Sequence, residues 1–200
     1  KGLPQYRDGE EADTYVLSDA EDLVPLLEET SPGSGTWAEV TRSVTVDSTD
    51  YTVKRYRPRA GTDTVLIERW MRDSDRRIHW RTITPDNTKR LYGKSDSACV
   101  IDPDNSRHIF EWLLEEERDE RGSVIAYVYK AEDRAGVSSS PAEANREGHV
   151  AWTYLKRVSW GNTVMDDNPD GGTGDWLFHL LFDFGEHDTD DPQLSDTGTW

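Results

Sequence analysis

The stretch that decides the fold covers residues 110–133 and reads FEWLLEEERDERGSVIAYVYKAED. Asp119 can accept hydrogen bonds from the backbone two residues further on, and Gly122 tolerates a positive φ, so the chain is expected to reverse at this Asp-x-x-Gly turn. After the turn, residues 124–129 carry β-branched and aromatic side chains that alternate between two faces. Residues 110–118 contain good helix formers, but the turn and the tyrosine-bearing strand favour sheet. The stretch therefore predicts a β-hairpin.

Two further hairpins are predicted upstream of this one. Residues 37–46 and 51–57 flank a polar four-residue loop at 47–50, and residues 64–70 and 77–83 form the second pair. In the last of these strands, apolar and basic side chains alternate with a period of two, which is typical of a half-buried strand. The centre of the chain is therefore expected to be sheet.

The last two strands are predicted at residues 152–160 and 176–184. One face of the second strand carries only large apolar side chains, which makes it the expected core strand. These side chains are Trp176, Phe178, Leu180, Phe182 and Phe184. Between the hairpins, short strands are predicted at 89–93 and 98–101, followed by a turn at 102–106.

The N-terminal region carries a helix signal. Residues 18–21 have the Ser-x-x-Glu pattern of a capping box, in which a hydroxyl and a carboxylate satisfy backbone N–H groups. Pro25 would end or kink such a helix within a turn or two. One short helical turn is therefore predicted before the sheet begins.

The predicted fold class is all-β, mainly an antiparallel meander of hairpins with one short N-terminal helical turn. No long crossover of the kind that joins parallel strands is visible. The length of 200 residues favours a single domain, which we expect to be a piece of a longer protein. Its predicted parts are a strap and linker at 1–36, a hairpin meander at 37–134, a flexible loop at 135–149, a core hairpin at 150–187 with an acidic insertion at 166–175, and an acidic tail at 188–200.

Charge and composition exclude several classes of partner. Lys and Arg number 23 against 40 Asp and Glu, giving a net charge of −17, which argues against nucleic acids and anionic membranes. The charge is uneven, because residues 54–94 are mainly basic whereas residues 158–200 contain no Lys or Arg. These two regions are either solvated faces or surfaces that meet each other, within the chain or across an interface. No apolar run approaches the roughly 20 residues of a membrane span, so direct membrane insertion is not expected.

The aromatic content indicates a thin sheet rather than a thick core. Only 34% of the residues are apolar, but there are eight Trp and eight Tyr. Large rings bury much area per residue and suit strand surfaces.

No catalytic or cofactor-binding residues are predicted. The five histidines, His79, His108, His149, His179 and His187, are scattered and form no H-x-x-x-H pair. The sequence also has no G-x-S-x-G elbow, no G-x-G-x-x-G and no phosphate-binding loop motif. A glycosidase would need two carboxylates facing one cleft. With forty acidic residues in the chain, the sequence leaves this alternative open. Cys99, the single cysteine, lies in an apolar run and is predicted to be a buried, unreactive thiol.

The acidic insertion contains a candidate calcium site. Asp166, Asn168 and Asp170 place oxygen ligands at alternate positions before a glycine turn, as calcium loops do. The twelfth position of the loop is Leu177, where such loops need a bidentate Glu. The alternative is a hydrated loop between two strands, with no cofactor.

A series of short motifs runs along most of the chain. In order, they are Gly2-Leu-Pro, the run 13–25, Tyr56-Arg-Pro-Arg59, Ile67-Glu-Arg-Trp70, His79-Trp-Arg81, Tyr92-Gly93, Asp102-Pro103, Phe110-x-Trp112, Tyr154-Leu-Lys-Arg157 and Phe184-Gly-Glu-His187. Together they resemble the motifs of the family that comprises SpvB and the B subunits of insecticidal toxin complexes. The hairpin spacing also resembles the YD repeats of RHS-type shell proteins. Departures fall at 60–64, 149–152 and the insertion 166–175, where they concern loops and edges.

The resemblance implies a non-catalytic structural role. In toxin-complex B subunits, such a domain contributes strands to a hollow β-shell that encloses a cytotoxic effector before delivery. The implied partners are a C-type RHS subunit that carries the effector and a pore-forming A-type subunit, reached through a region outside these residues. The implied location is extracellular, after a cytoplasmic stage before export.

Two alternatives stay open. Within the family, the chain would be the N-terminal, non-catalytic region of an SpvB-like effector whose ADP-ribosyltransferase lies further along. From another class, a secreted calcium-binding or glycan-binding β module would explain the aromatic and acidic residues.

Overall fold

The computed structural model describes residues 14–17, 22–60, 64–132, 141, 151–164 and 175–184. In this part of the chain the backbone forms fourteen strands and one short 3₁₀ helix at Asp96–Ala98. The strands are β1 (Leu23–Pro25), β2 (Leu27–Glu29), β3 (Trp37–Glu39), β4 (Thr41–Val46), β5 (Thr49–Pro58), β6 (Leu66–Arg72), β7 (Ile78–Ile83), β8 (Lys89–Tyr92), β9 (Cys99–Asp102), β10 (Asn105–Trp112), β11 (Leu114–Arg118), β12 (Val124–Ala131), β13 (Thr153–Asn162) and β14 (Trp176–Leu181).

Ten of these strands build one antiparallel sheet. Its order is β1-β5-β6-β7-β8-β11-β12-β13-β14, and β4 pairs the edge of β5 that faces away from β6. Most neighbours in the sheet are also neighbours along the chain, so the predicted antiparallel meander is confirmed. Strands β9 and β10 form a separate two-stranded sheet, as do β2 and β3. No helix in the described part of the chain is long and apolar enough to cross a membrane.

The main core lies on one face of strands β5 to β7. Tyr56, Ile67 and Trp80 come from these three strands and are buried together with Leu23. The ring of Tyr15 packs across them, with its centroid 5.8 Å from that of Tyr56 and 4.8 Å from that of Trp80, both edge to face. Each aromatic pair in this geometry stabilises the fold by about 0.5–1.5 kcal/mol beyond the contribution of the area it buries. The aromatic residues therefore do supply this core.

The two-stranded β9–β10 sheet closes the same core from the side of β8. Trp112 donates a hydrogen bond from its indole N–H to the Ile78 carbonyl at 2.8 Å. Gly93, at the end of β8, has a φ of +62°, and a Cβ there would overlap the Trp112 ring and lie 2.8 Å from Cys99 Sγ. The close approach of the small sheet therefore requires glycine at this position.

The opposite face of the central strands is buried as well. Val53 and Glu68 are fully buried, Trp70 is 4% exposed and His79 is 9% exposed. The period of two from Arg77 to Thr82 predicted a half-buried strand, but β7 buries side chains on both faces. The reason is that the long side chains of Arg42 and Arg81 lie over this face.

The decisive turn is confirmed. Gly122 has a φ of +83°, and its N–H donates to the Asp119 carbonyl at 3.2 Å. The Asp119 carboxylate accepts hydrogen bonds from the backbone N–H groups of Arg121 at 2.9 Å and Ser123 at 2.8 Å. These backbone hydrogen bonds, from Ser123 first, lower the pKa of Asp119. Strands β11 and β12 pair on either side of the turn.

Three predicted elements are corrected by the structure. The first hairpin turns through two residues rather than four, because Asp47 and Ser48 adopt positive φ values of 46° and 62° and Val46 pairs directly with Thr49. The predicted strand 37–46 is broken at Val40 into β3 and β4, which belong to different sheets. The outgoing strand of the 110–133 hairpin is also broken, since β10 pairs with β9 and only β11 pairs with β12.

The expected core strand is the largest correction. Residues 176–184 include β14, but β14 lies at the edge of the sheet and its large side chains are mostly exposed. The alternation was read correctly, whereas the partner for the apolar face is missing from the described part of the chain. The predicted helical turn at 18–21 lies outside the described residues, and Leu23–Pro25 beyond it is strand β1.

Candidate functional site

A carboxylate and three arginines form a charged cluster on the face of the sheet opposite the main core. Glu68 on β6 lies directly between its cross-strand partners Arg55 on β5 and Arg81 on β7. Its side chain is 1% exposed. Arg81 donates to Glu68 Oε2 from Nε at 3.1 Å and from Nη2 at 2.7 Å, and Arg42 donates from Nη2 to Oε1 at 2.8 Å. Trp70 adds a hydrogen bond from Nε1 to Oε2 at 3.1 Å.

The arginines keep this buried carboxylate charged. Burial by itself would raise the pKa of Glu68, but the charges and hydrogen bonds of Arg81 and Arg42 outweigh burial and the pKa is lowered. The Arg81 guanidinium also lies over the Trp70 ring, 4.4 Å from its centroid. Charge, hydrogen bonding and a cation–π contact therefore hold the cluster in one arrangement.

None of the histidines in the described residues is arranged for catalysis. His79 is buried against Trp70, with ring centroids 5.8 Å apart, and burial lowers its pKa to about 3, so it is neutral. His179 contacts Ser159 through Nδ1 and Oγ at 2.9 Å, but Ser159 is 1% exposed and is closed to a substrate. His108 contacts the carboxylate of Asp102 at 3.2 Å in the β9–β10 sheet. His149 and His187 lie outside the described residues.

Cys99 is buried, which confirms the prediction for the single cysteine. Its Sγ accepts a hydrogen bond from Arg77 Nη2 at 3.3 Å, and its S–H donates to the Gly93 carbonyl at 3.5 Å. Burial raises the pKa of the thiol to about 12 and outweighs the lowering effect of Arg77. The thiol is therefore protonated at neutral pH and is a poor nucleophile or metal ligand.

The calcium candidates Asp166, Asn168 and Asp170 lie outside the described residues, so calcium binding stays a prediction. At the end of that loop, the Asp175 carbonyl accepts a hydrogen bond from the Thr163 N–H at 3.0 Å. Elsewhere in the described ranges, no group of three or more His, Cys, Asp or Glu side chains could hold a metal ion.

The second notable surface is the β13–β14 aromatic edge, which we define as Trp160, Phe178, Leu180 and Phe182. Trp160 and Phe178 stack with ring centroids 5.6 Å apart and 20° between their planes. The four side chains are exposed by 38%, 53%, 49% and 37% respectively. Among the described strands, β14 pairs with β13 alone, so its outer backbone groups face no strand.

Such an edge can bind protein but supplies no reactive group. An unpaired strand offers a row of backbone donors and acceptors to a further strand. Contiguous exposed apolar side chains of this kind mark interaction sites in soluble proteins. The sequence placed these residues on one face but gave no signal that the face is uncovered.

The charged cluster was not predicted, although a signal for it was present. Glu68 and Arg81 lie in two of the short motifs quoted above, and opposite charges that face each other in a hairpin are typical cross-strand pairs. Finding the pair required the register of the second hairpin, in which Glu68 lies opposite Arg81. Arg42 required the position of β4, which the four-residue turn had placed wrongly.

Comparison with known proteins agrees with the fold. The chain matches the family described as Salmonella virulence plasmid 65kDa B protein over residues 1–200. It is 31% identical over 198 residues to the mono(ADP-ribosyl)transferase SpvB of Salmonella typhimurium, and to that of Salmonella dublin, covering 96% of this chain and 32% of each relative. The chain therefore spans about a third of the length of these curated relatives.

Solved structures give the same result. The N-terminal domain of the effector protein SpvB from Salmonella typhimurium superposes with a TM-score of 0.82 at 31% identity, covering all of this chain and 63% of that one. A chain of the TcdB2-TccC3-Cdc42 crystal structure gives a TM-score of 0.78 at 28% identity, over 96% of this chain and 9% of that one. A chain of the Photorhabdus luminescens Tc holotoxin pore gives a TM-score of 0.77 at 28% identity, over 97% of this chain and 9% of that one. The predicted relationship is thus confirmed, and the chain belongs to the SpvB family of toxin-related proteins, with the fold of the SpvB N-terminal domain.

Proposed function

We propose that this chain is a non-catalytic wall segment of a bacterial toxin-complex B-type subunit. In this role it contributes strands to a hollow β-shell that encloses a cytotoxic effector before delivery. The observation that carries the proposal is the β13–β14 aromatic edge, which ends a ten-stranded sheet without a covering layer or a further strand in the described residues.

Leaving such an edge open is unfavourable. Open strand edges with apolar side chains invite aggregation, and natural proteins pair, cover or charge them. In the described part of β14, the side chains from Leu177 to Leu180 include three large apolar residues that are about half exposed or more. A shell wall satisfies this edge because the next strand of the wall pairs with it.

The similarity to chains of the TcdB2-TccC3 structures supports the same role. On this proposal, the partner that closes the shell is a C-type RHS subunit that carries the effector. A pore-forming A-type subunit engages a region outside these residues, and the assembled protein is exported after a cytoplasmic stage.

The likeness to the N-terminal domain of SpvB favours a second candidate. With a TM-score of 0.82, that domain is as good a fit as any toxin-complex chain cited above. In this case the chain is the non-catalytic N-terminal region of an SpvB-like effector, and the ADP-ribosyltransferase lies outside these residues. The β13–β14 aromatic edge then packs against the rest of the same polypeptide.

Size-exclusion chromatography with light scattering tests the proposal. The chain is measured alone and mixed with a full-length C-type RHS subunit encoded near it. A chain that self-associates alone and forms a complex of defined mass with the subunit supports the shell role. A monomer that does not bind the subunit overturns the shell role. A chain that instead forms a defined complex with an ADP-ribosyltransferase domain encoded downstream supports the role in an SpvB-like effector.

A further inference from the structure

We propose that the charged cluster of Arg42, Arg55, Glu68 and Arg81 is a docking site for an acidic segment of a partner polypeptide. The segment would place its carboxylates on the donors that Glu68 leaves unused. This inference concerns the face opposite the main core and does not depend on the shell role, which rests on the β13–β14 aromatic edge.

The cluster carries more positive than negative charge. Three guanidinium groups surround a single carboxylate, within 2.7 Å for Arg81, 2.8 Å for Arg42 and 3.9 Å for Arg55. The cluster therefore keeps a net positive charge, although the whole chain carries −17. A site that only neutralised Glu68 would need one arginine.

Glu68 has no acceptor position left for Arg55. A carboxylate offers about four acceptor positions, and Glu68 already accepts two hydrogen bonds from Arg81, one from Arg42 and one from Trp70. Arg55 makes no hydrogen bond to it, and its buried Nε has no acceptor. Because this Nε is buried, an additional anion would bind the exposed part of the Arg55 side chain instead.

Arg81 and Arg42 are held in place before any ligand binds. Arg81 is fixed by two bonds to Glu68 and by the Trp70 ring, and the Arg42 guanidinium lies 5.7 Å from the same ring centroid. Side chains that are ordered before binding lose less conformational entropy when the ligand arrives. Arg42 and Arg55 remain accessible, with side chains 44% and 37% exposed.

The charge of the whole chain favours an acidic polypeptide over nucleic acid as the ligand. A polyphosphate chain would extend over the rest of a protein with a net charge of −17 and be repelled. A short acidic segment engages only the local field, since screening at physiological salt limits charge effects to about 8 Å. Guanidinium groups bind carboxylates in two-pronged geometry, which gives the contact its selectivity.

The test is fluorescence anisotropy of a labelled peptide of alternating Glu and Gly, titrated with the full chain at an ionic strength of about 0.15 M. The Arg42→Gln/Arg55→Gln variant keeps the bonds of Glu68 to Arg81 and Trp70. We expect its affinity for the peptide to fall about tenfold or more, which corresponds to about 1.4 kcal/mol.

The matched control is Arg107→Gln/Arg121→Gln, which removes two exposed arginines that make no ion pair with Glu68. It should bind the peptide within about twofold of the unmodified chain, because only the overall charge has changed. Equal loss of affinity in both variants would overturn the site, as would binding of a single-stranded oligonucleotide more tightly than the peptide. Circular dichroism of both variants verifies that each is folded.

Discussion

Glu68 shows how one residue holds several strands together. It is a single buried acid bonded to arginines on β4 and β7 and to Trp70 on its own strand. Glu68→Gln keeps the shape but leaves the guanidinium groups without their anion, and removing one partner of a buried pair typically costs about 3–5 kcal/mol. Because Arg42 is partly solvated, we expect a loss of about 3 kcal/mol in the free energy of unfolding, measured by urea denaturation. Glu117→Gln, which breaks the half-exposed pair with Arg90, should cost under about 1 kcal/mol; equal losses would refute the special role of Glu68.

His79 gives the protein a pH-dependent stability. Its pKa is lowered from 6.5 to about 3 in the folded state, so between these values the unfolded chain binds a proton that the folded chain does not. The stability that comes with a neutral, buried His79 is fully present above pH 6.5. It is lost as the pH falls toward 3, by up to about 1.4 kcal/mol in the free energy of unfolding per pH unit. His79→Phe retains the stacking on Trp70. It should flatten the dependence of stability on pH between pH 6.5 and 4, as measured by thermal denaturation. Curves that stay parallel over this range would show that His79 is not responsible.

At the scale of elements, the fit between the β9–β10 sheet and the main sheet depends on Gly93. Gly93→Ala adds a Cβ that overlaps the Trp112 ring at a φ of +62°. The matched control is Gly33→Ala, because Gly33 has a φ of +78° but no atom within 4 Å of an added Cβ. Both changes carry backbone strain of about 1 kcal/mol, and overpacking should add about 1–3 kcal/mol for Gly93 alone. Urea denaturation that gives equal losses would contradict the close contact.

The elements that the sequence predicted well are those whose signals are local. The turn at Asp119 and Gly122 depends on a side chain and a φ angle within a few residues, and it forms as expected. The turn at Asp47 and Ser48 was misjudged because nothing in two polar residues announces positive φ values, which only the pairing of β4 with β5 enforces. The break at Val40 likewise follows from pairing, since its backbone N–H and C=O bond to Leu26 and Arg55.

At the scale of the whole molecule, the β13–β14 aromatic edge should govern association. We expect the isolated chain to self-associate with rising concentration, because exposed rings beside an open strand edge favour intermolecular pairing. Phe178→Lys, at a 53% exposed position, should shift light-scattering masses toward the monomer. Leu27→Lys, at a 50% exposed position on β2, should not. If both variants associate like the unmodified chain, another surface is responsible.

Burial across the molecule is where sequence alone falls short. The alternation in residues 176–184 predicts which side chains share a face, but not whether another layer covers that face. The same holds on the other side of the sheet, where Trp70 is buried beneath Arg42 and Arg81 as well as against the Tyr51 ring. Both features depend on the arrangement of strands that are distant in sequence.

The meander order of the sheet also bears on how the chain is made. From β4 to β8, and again from β11 to β14, each strand pairs with the one synthesised just before it. A nascent chain leaving the ribosome can therefore add strands one at a time, each covering the edge left by its predecessor, without waiting for distant segments. Within each of these two series the newest strand leaves its outer edge open to solvent, and β14 is the last described strand to hold that position.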